Sequence, residues 1–428
     1  MLVLVMAHRE CLVSSGSVLA TLGFCVTFLP LAAANILSGT NSTPSTIPVA
    51  LRVFSHLGLL ALLIMFIAAN RRRITLTQDQ RIELLSRLFL LALLLFLVML
   101  SVSINHFFWS SLLRSMILAI FMINLLLLLP IVIDNERDLS EFTDRIQLLF
   151  VYYAVALVVF SSFLFLSGTS PYFRLGYPLI PGVFAYFATI ALLISVTTRK
   201  NDLLMVFFLV AVLFSGSRSA MGFCLLAVVA SRFRATTVAK NVGLLLVLSA
   251  ALIIVVPESL RFLSILFSER GDFSSGRLEI WNEAVRLISD RPLLGYGMPQ
   301  LLENVRGGQD LAAHNTLLDL TMTYGVVFAC FAYIVWFLIF FPRKRHFRHL
   351  TDSQHRSAEF YKLRVWLFLL VLFKSMVTNT FWTNMGDAAT LTALFLLLNP
   401  LETGVENQGQ EGEMLGESIG KASSLRVS

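Results

Sequence analysis

The sequence predicts an all-α polytopic membrane protein with about 12 transmembrane helices. Of its 428 residues 57% are hydrophobic and 14% are charged, whereas a soluble globular protein carries about 25% charged residues. The mean hydropathy is +0.79. Apolar runs of about twenty residues recur along the chain, which is the length that crosses a bilayer as a helix. Helices are expected because lipid offers no partners for backbone N–H and C=O groups.

Twelve apolar runs are interpreted as spans. They lie at about 17–37, 49–69, 88–105, 115–133, 147–167, 178–197, 203–217, 219–232, 241–257, 317–341, 363–379 and 385–400. Together they make residues 1–400 a single membrane domain. Its largest polar loop, about 258–316, lies between spans nine and ten and is expected to carry short helices. The Glu-, Gly- and Ser-rich segment 401–428 is expected to be a disordered cytoplasmic tail.

Basic residues set the predicted orientation. Most of the 33 Lys and Arg residues fall in alternate loops and in the termini on one side, and the positive-inside rule makes that side cytoplasmic. Both termini are therefore expected in the cytoplasm. The same rule explains the net charge of +7, so no nucleic-acid partner is expected. Arg174 and Arg218 are exceptions, because both lie in short outer loops.

The loop 258–316 carries an amphipathic helix in this prediction. From Arg277, apolar residues recur at helical spacing at Trp281, Ala284, Val285 and Ile288. Such a face suits a helix that lies on the membrane or caps the helix bundle. The helix should end before Pro292, and Gly295-Tyr296-Gly297 should form a turn with close backbone approach.

His314 is a candidate base beside the predicted start of span ten. The partial positive charge at a helix N-terminus favours a neutral imidazole, which can accept a proton from a sugar hydroxyl. The alternative is a capping or interfacial histidine.

Three outer arginines, Arg174, Arg218 and Arg277, could hold a diphosphate, because guanidinium fits phosphate oxygens bidentately. The alternative for each is a side chain that reaches a lipid headgroup. No carboxylate–histidine cluster stands at ligand spacing, so neither a metal nor a cofactor is expected.

Several of these segments resemble the O-antigen ligase and O-antigen polymerase superfamily. The resemblance rests on Arg277-Leu278-Glu279-Ile280-Trp281, Pro292-Leu293-Leu294-Gly295-Tyr296-Gly297, His314-Asn315 with Tyr324-Gly325, Ser215-Gly216-Ser217-Arg218, and Arg174-Leu175-Gly176 followed by Pro181. The last segment departs from the family, because Pro181-Gly182 replaces the Pro-Asn pair often seen there. The ordered set covers about 170–335.

The resemblance implies an inner-membrane enzyme with a GT-C-like helical fold and an active site that faces the periplasm. Its donor would be a glycan on undecaprenyl diphosphate. A ligase would pass the glycan to lipid A-core, and a polymerase would pass it to another lipid-linked repeat unit. Chain length favours the ligase over protein-glycosylating relatives with a large extra C-terminal part, whereas polymerases of similar length exist. The enzyme would be a metal-independent, inverting glycosyltransferase. Its implied catalytic residues are His314, Arg277 and Arg218, and its implied substrate-binding residues are Arg174, Trp281, Asn315 and Tyr296.

Two other classes of protein are compatible with a polytopic chain. A transporter of polyprenyl-linked glycans should show internal repeats or Gly/Pro-broken spans in matching halves. The sequence is interpreted as showing neither, and one dominant outer loop favours an enzyme. A non-catalytic assembly subunit would have no use for the His–Arg set.

Overall fold

The described parts of the chain are helices joined by turns, as the sequence predicts. The computed structural model describes residues 15–39, 46–69, 76–104, 116, 119–132, 136–170, 175–177, 179, 181–199, 201–231, 277–297, 313, 315–342, 354–377 and 388–397. Within these ranges every regular element is a helix, which confirms the all-α class.

The helices are numbered here in chain order. They are α1 (Ser15–Gly23) and α2 (Leu29–Gly39), joined by the π-helical turn Phe24–Phe28; α3 (Thr46–Ala69); α4 (Gln78–Ile104); α5 (Leu129–Val132), preceded by the π-helical turn Asn124–Leu128; α6 (Glu136–Leu166); α7 (Pro181–Ile194), extended by the π-helical turn Ser195–Arg199; α8 (Asp202–Phe214); α9 (Arg218–Ser231); α10 (Arg277–Asp290); α11 (Thr316–Phe340); α12 (Gln354–Val377); and α13 (Ala388–Leu397).

Each predicted span except the ninth coincides with helix; the ninth, 241–257, lies outside the described residues. Four helical stretches are long and apolar enough to cross a membrane: Ser17–Ala34, Gln78–Ile104, Glu141–Leu166 and Thr316–Phe340. Other apolar helices, such as α8 and α9, are shorter. The membrane character is therefore supported, whereas the count of twelve spans and the GT-C-like arrangement remain predictions.

Helix α7 lies in the centre of the core. Phe184, Phe187, Ile190 and Leu193 are each at most 1% exposed, and α6, α8, α9, α12 and α13 all pack against this helix. A helix that is apolar on every side is stable only when neighbours surround it. Helix α7 begins at Pro181, shortly after the segment that carries Arg174. Its buried position therefore sets where the chain after that segment enters the core.

Helix α10 is the polar exception, and it packs on α11. Ile280 and Ala284 are 3% and 0% exposed and contact Ala313 and Met322, while Asn282 and Arg286 face outward. Helix α11 also packs against α4. The predicted amphipathic helix is thus confirmed, with Ala284 of the predicted apolar face buried on the bundle. Val285, which was also predicted for this face, is 52% exposed, because it lies about 100° around the helix from Ala284. It ends at Asp290, before Pro292, as predicted.

Candidate functional site

Helix α11 is broken two turns after it begins. At Gly325 the backbone adopts φ 86° and ψ 166°, while the residues on both sides are helical. Such a break removes hydrogen bonds between successive turns, and apolar surroundings offer no water to replace them. The freed N–H and C=O groups therefore need protein partners.

The loop that follows α10 supplies those partners. The backbone N–H groups of Tyr296 and Gly297 donate to the carbonyls of Met322 and Thr323, at 2.9 and 2.7 Å. In return, the N–H of Val326 donates to the carbonyl of Pro292 at 2.8 Å. The loop 291–297 is thus inserted into the break, and the two segments satisfy each other's backbone.

Two glycines make this insertion possible. A Cβ at Gly325 would lie 1.9 Å from the Leu293 carbonyl oxygen, and a Cβ at Gly295 would lie 2.6 Å from the Met322 carbonyl oxygen. Gly295 and Gly297 also have positive φ, 60° and 71°. The predicted turn with close backbone approach is confirmed, and the structure identifies the backbone that is approached as α11.

Ser101, near the end of α4, holds both parts of the insertion. Its Oγ lies 2.5 Å from the Leu294 carbonyl oxygen and 3.3 Å from the Thr323 carbonyl oxygen. Three separate stretches of chain, from α4, from the loop after α10 and from α11, therefore meet at this point.

Ala313, the residue directly before His314 in the chain, has both its backbone carbonyl and its backbone N–H in hydrogen bonds with side chains. The Trp281 indole Nε1–H donates to the Ala313 carbonyl at 2.9 Å, and the Ala313 N–H donates to Oδ1 of Asp319 at 2.8 Å. Ala313 itself is fully buried. These contacts connect the first turn of α10, which begins at Arg277, to the residue that precedes His314.

Asn315, directly after His314, is the N-cap of α11. Its side-chain Oδ1 accepts from the N–H groups of Leu317 and Leu318, at 3.0 and 3.2 Å. A side-chain acceptor at this position satisfies two of the N–H groups that a helix start leaves unpaired. His314 was expected beside the start of span ten, and α11 begins two residues after it, at Thr316.

A second contact brings together the segments that carry Arg174 and Arg218. The N–H of Leu175 donates to the carbonyl of Phe214 at 3.0 Å, and the N–H of Gly176 donates to the Ser161 hydroxyl at 2.9 Å. The chain turns at Gly216, with φ 66°, before α9 begins at Arg218. Leu175, which follows Arg174 in the chain, and the turn that leads to Arg218 therefore lie at the same end of α8.

The structure describes the predicted site residues to different extents. His314 and Arg174 lie outside the described residues. Arg277 and Arg218 are the first residues of α10 and α9, and only their backbone is described. The described contacts join the Arg277 helix to the His314 segment, and the Arg174 segment to the Arg218 turn, but they do not join these two pairs to each other.

Trp281, Asn315 and Tyr296 are the remaining predicted site residues. Trp281 and Asn315 use polar side-chain atoms to hold the chain on either side of His314. The ring of Tyr296 is half-buried, with the Arg291 guanidinium 4.9 Å from its centroid. Their predicted role in substrate binding remains a proposal.

Sequence reasoning missed Asp319 and Ser101. Asp319 is 7% exposed in an apolar helix, and an ionisable residue within such a run was a signal that could have been used. Ser101 carries no comparable signal, because serine is common near the ends of apolar helices and its partners are distant in sequence.

The outward face of α10 carries ordinary solvated ion pairs. Arg286 donates to both carboxylate oxygens of Glu283, at 2.7 and 2.9 Å, and lies 3.7 Å from Asp290. The hydrogen bonds to Glu283 raise the pKa of Arg286 above its ordinary value. These charges point away from the buried face that contacts Ala313.

A comparison with known families found a match over part of the chain. Residues 203–328 match the model of the family described as O-antigen ligase. The matched region begins in α8 and ends just after Gly325, so it contains Arg218, Arg277 and His314, whereas Arg174 lies outside it. No curated protein matches the chain. The match over residues 203–328 supports the resemblance of this part of the chain to the O-antigen ligase and O-antigen polymerase superfamily.

Proposed function

We propose that this protein is an O-antigen ligase of the bacterial inner membrane. It transfers a glycan from undecaprenyl diphosphate to lipid A-core on the periplasmic face. The family match over 203–328 supports this proposal. The observation that carries it is the pair of hydrogen bonds at Ala313, the residue before His314, one of which joins Ala313 to the helix that starts at Arg277.

The proposed reaction is a single displacement. His314 removes the proton from the acceptor hydroxyl, and the hydroxyl oxygen forms a bond to the anomeric carbon. The bond from that carbon to the diphosphate oxygen breaks, and the diphosphate leaves with the electron pair. Because attack and departure occur on opposite faces, the anomeric configuration inverts.

The arginines act on the leaving group in this mechanism. Arg277 and Arg218 hold the diphosphate and stabilise the negative charge that develops on it, and Arg174 adds a third contact. The contact between Leu175 and Phe214 supports a joint role for Arg174 and Arg218, because it brings their segments to the same end of α8. Trp281, Tyr296 and Asn315 bind substrate in this proposal.

An O-antigen or exopolysaccharide polymerase is the alternative. It would use the same donor and the same displacement, with a second lipid-linked repeat unit as acceptor. The motifs that carry the resemblance are common to both activities. A polyprenyl-linked glycan transporter is the less favoured alternative, since the sequence shows one dominant outer loop and no internal repeat.

The decisive experiment separates the two transfer reactions. Purified protein in liposomes receives an undecaprenyl-diphosphate-linked glycan, with lipid A-core present in one arm and absent in the other. A glycosylated lipid A-core is expected in the first arm and no chain extension in the second. Extension of the lipid-linked glycan without lipid A-core would indicate the polymerase, and no transfer in either arm would contradict both.

His314→Ala tests the proposed base in the same assay. The variant should fold and bind donor but stop transfer, because the partner of His314 is the acceptor. Asn282→Ala, on the outward face of α10, is the control and should transfer normally. Near-normal transfer by His314→Ala would remove His314 from the mechanism.

A further inference from the structure

Lys374 is a charged side chain whose ammonium group lies inside the helix bundle. It is one turn from the end of α12. Its Nζ lies 3.3 Å from the centroid of the Tyr186 ring and 3.4 Å from the Thr390 hydroxyl oxygen, and these two residues are 4% and 2% exposed. A lysine near the end of a membrane helix can extend into the headgroup layer, whereas the ammonium of Lys374 contacts the central helix α7.

The Tyr186 ring and the Thr390 hydroxyl hold the ammonium without neutralising it. An aromatic face attracts a cation through its quadrupole, and a hydroxyl oxygen can accept an ammonium N–H, but neither group carries a negative charge. Ionisable residues that face the interior of a membrane bundle often mark the pathway of an ion or a substrate. An ammonium held in this way is suited to an anionic ligand.

Helix α7 runs antiparallel to α12, and its start lies at the end of α12 that carries Lys374. Tyr186 of α7 contacts Lys374, and the turn Ser195–Arg199, further along the chain, also packs on α12. Because α12 ends at Val377, this second contact lies toward the start of α12. The start of α7, five residues before Tyr186, therefore lies at the Val377 end of α12.

Helix α9 has its start, at Arg218, at the same end of the bundle. Leu175, shortly before α7, is bonded to Phe214, the last residue of α8, so the starts of α7 and α9 adjoin the same end of α8. Helix α9 also contacts α12 beside Lys374, because the ring centroids of Phe223 and Phe373 are 5.8 Å apart. Lys374 and the start of α9 therefore lie at one end of two neighbouring helices.

Ser375 connects this end of α12 to α11. The hydroxyl of Tyr333, in α11 beyond the break at Gly325, donates to the Ser375 hydroxyl oxygen at 3.1 Å. Three consecutive residues of α12, at positions 373–375, thus contact α9, α7 and α11. These are the helix that begins at Arg218 and the helices that follow the Arg174 and His314 segments.

We propose that Lys374 binds a phosphate of the undecaprenyl diphosphate donor, beside the arginines of the proposed site. An ammonium provides a compact positive charge with three N–H donors, which suits the oxygens of a phosphate. Its place at the junction of α7, α9, α11 and α12 puts this charge on the helices that carry or follow the predicted site segments. The inference rests on the proposed function, because it names a further contact for the proposed donor.

Lys374→Met tests the contact, because methionine keeps an unbranched apolar side chain and removes the charge. Binding of undecaprenyl diphosphate to the purified protein in phosphatidylcholine nanodiscs should weaken by about 10- to 100-fold, and Lys374→Arg should restore most of it. Lys362→Met is the matched control, since Lys362 is an exposed lysine of the same helix. It should bind as the wild-type protein does.

Two outcomes of this comparison would overturn the proposal. One is wild-type affinity in Lys374→Met, with or without a lower thermal midpoint, which would assign Lys374 a structural role. The other is phosphatidylglycerol displacing undecaprenyl diphosphate from the wild-type protein but not from Lys374→Met, which would assign the ammonium to a phospholipid headgroup. Phosphatidylglycerol is expected to compete poorly with both proteins.

The wild-type protein provides a measurement that does not depend on the stability of any variant. In an experimental structure with undecaprenyl diphosphate bound, a phosphate oxygen should lie about 2.7–3.2 Å from Nζ of Lys374. A diphosphate bound out of reach of Nζ would overturn the inference and leave the proposed function standing. Binding of undecaprenyl diphosphate at Lys374 without glycan transfer by the wild-type protein would instead remove the proposed function and leave the contact.

Discussion

Gly325→Ala should disrupt the insertion of the loop 291–297 into α11. The added Cβ would lie 1.9 Å from the Leu293 carbonyl oxygen and 2.6 Å from the Leu294 nitrogen. These are backbone atoms, which cannot rotate away as the end of a side chain can. The loop and the helix must separate by about 1.5 Å to reach ordinary van der Waals contact.

The expected cost combines strain and lost hydrogen bonds. A non-glycine residue with φ 86° and ψ 166° carries about 1–3 kcal/mol of backbone strain. The three backbone hydrogen bonds between loop and helix, at 2.7–2.9 Å, do not survive a separation of that size, and each contributes about 1 kcal/mol net. The free energy of unfolding should therefore fall by about 4–6 kcal/mol.

Gly222→Ala is the control. Nothing lies within 4 Å of the position where its Cβ would be, and alanine in a helix is more stable than glycine by about 1 kcal/mol. Thermal unfolding of the purified proteins in detergent, with glycan transfer measured in parallel, compares the two variants. Gly325→Ala should lose both stability and transfer, and Gly222→Ala neither. If the two variants melt and transfer alike, the insertion does not support the site.

The remaining predictions concern the arginines, the topology and metals. Arg277→Ala and Arg218→Ala should each lower transfer by about 10²–10³-fold. Lysine at these positions should restore little transfer, because a point charge lacks the bidentate fork of arginine. Arg286 is an exposed arginine of the same α10 helix, so Arg286→Ala should transfer normally, and an equal loss in this variant would indicate a general effect of charge. Reporter fusions at Asn282 and Ser353 should report the periplasm and the cytoplasm respectively. The same side for both fusions would contradict the predicted topology. Transfer should survive a chelator; a loss that magnesium or manganese restores would contradict the metal-independent displacement.

Local sequence patterns predicted the helices and the polar loop helix well. Apolar runs of spanning length predicted helical segments, because only a helix satisfies its own backbone in lipid. The 3.6-residue spacing from Trp281 to Ile288 predicted α10, and Pro292 predicted where it ends. The two glycines flanking Tyr296 predicted a turn with close approach, since glycine alone adopts positive φ without strain.

The same patterns did not predict how the segments meet. Nothing in the residues around Gly325 indicates that α11 breaks there, because glycine also occurs within continuous apolar helices. The partners that stabilise the break, Pro292 and Tyr296, are about 30 residues away along the chain and are joined to α11 only through backbone atoms. Backbone hydrogen bonds leave little trace in side-chain identity.

The sequence by itself determined the all-α class, the apolar helices and the resemblance to the superfamily, because these follow from local composition, spacing and motif order. Only the tertiary structure decided that Trp281 and Asp319 form hydrogen bonds with the carbonyl and the N–H of Ala313. It also decided that the loop after α10 forms hydrogen bonds with the broken part of α11. These contacts join residues from different helices, and their geometry depends on how the whole bundle packs. The physical reason is that a hydrogen bond requires two groups to meet within about 3 Å, and one-dimensional periodicity does not encode that distance.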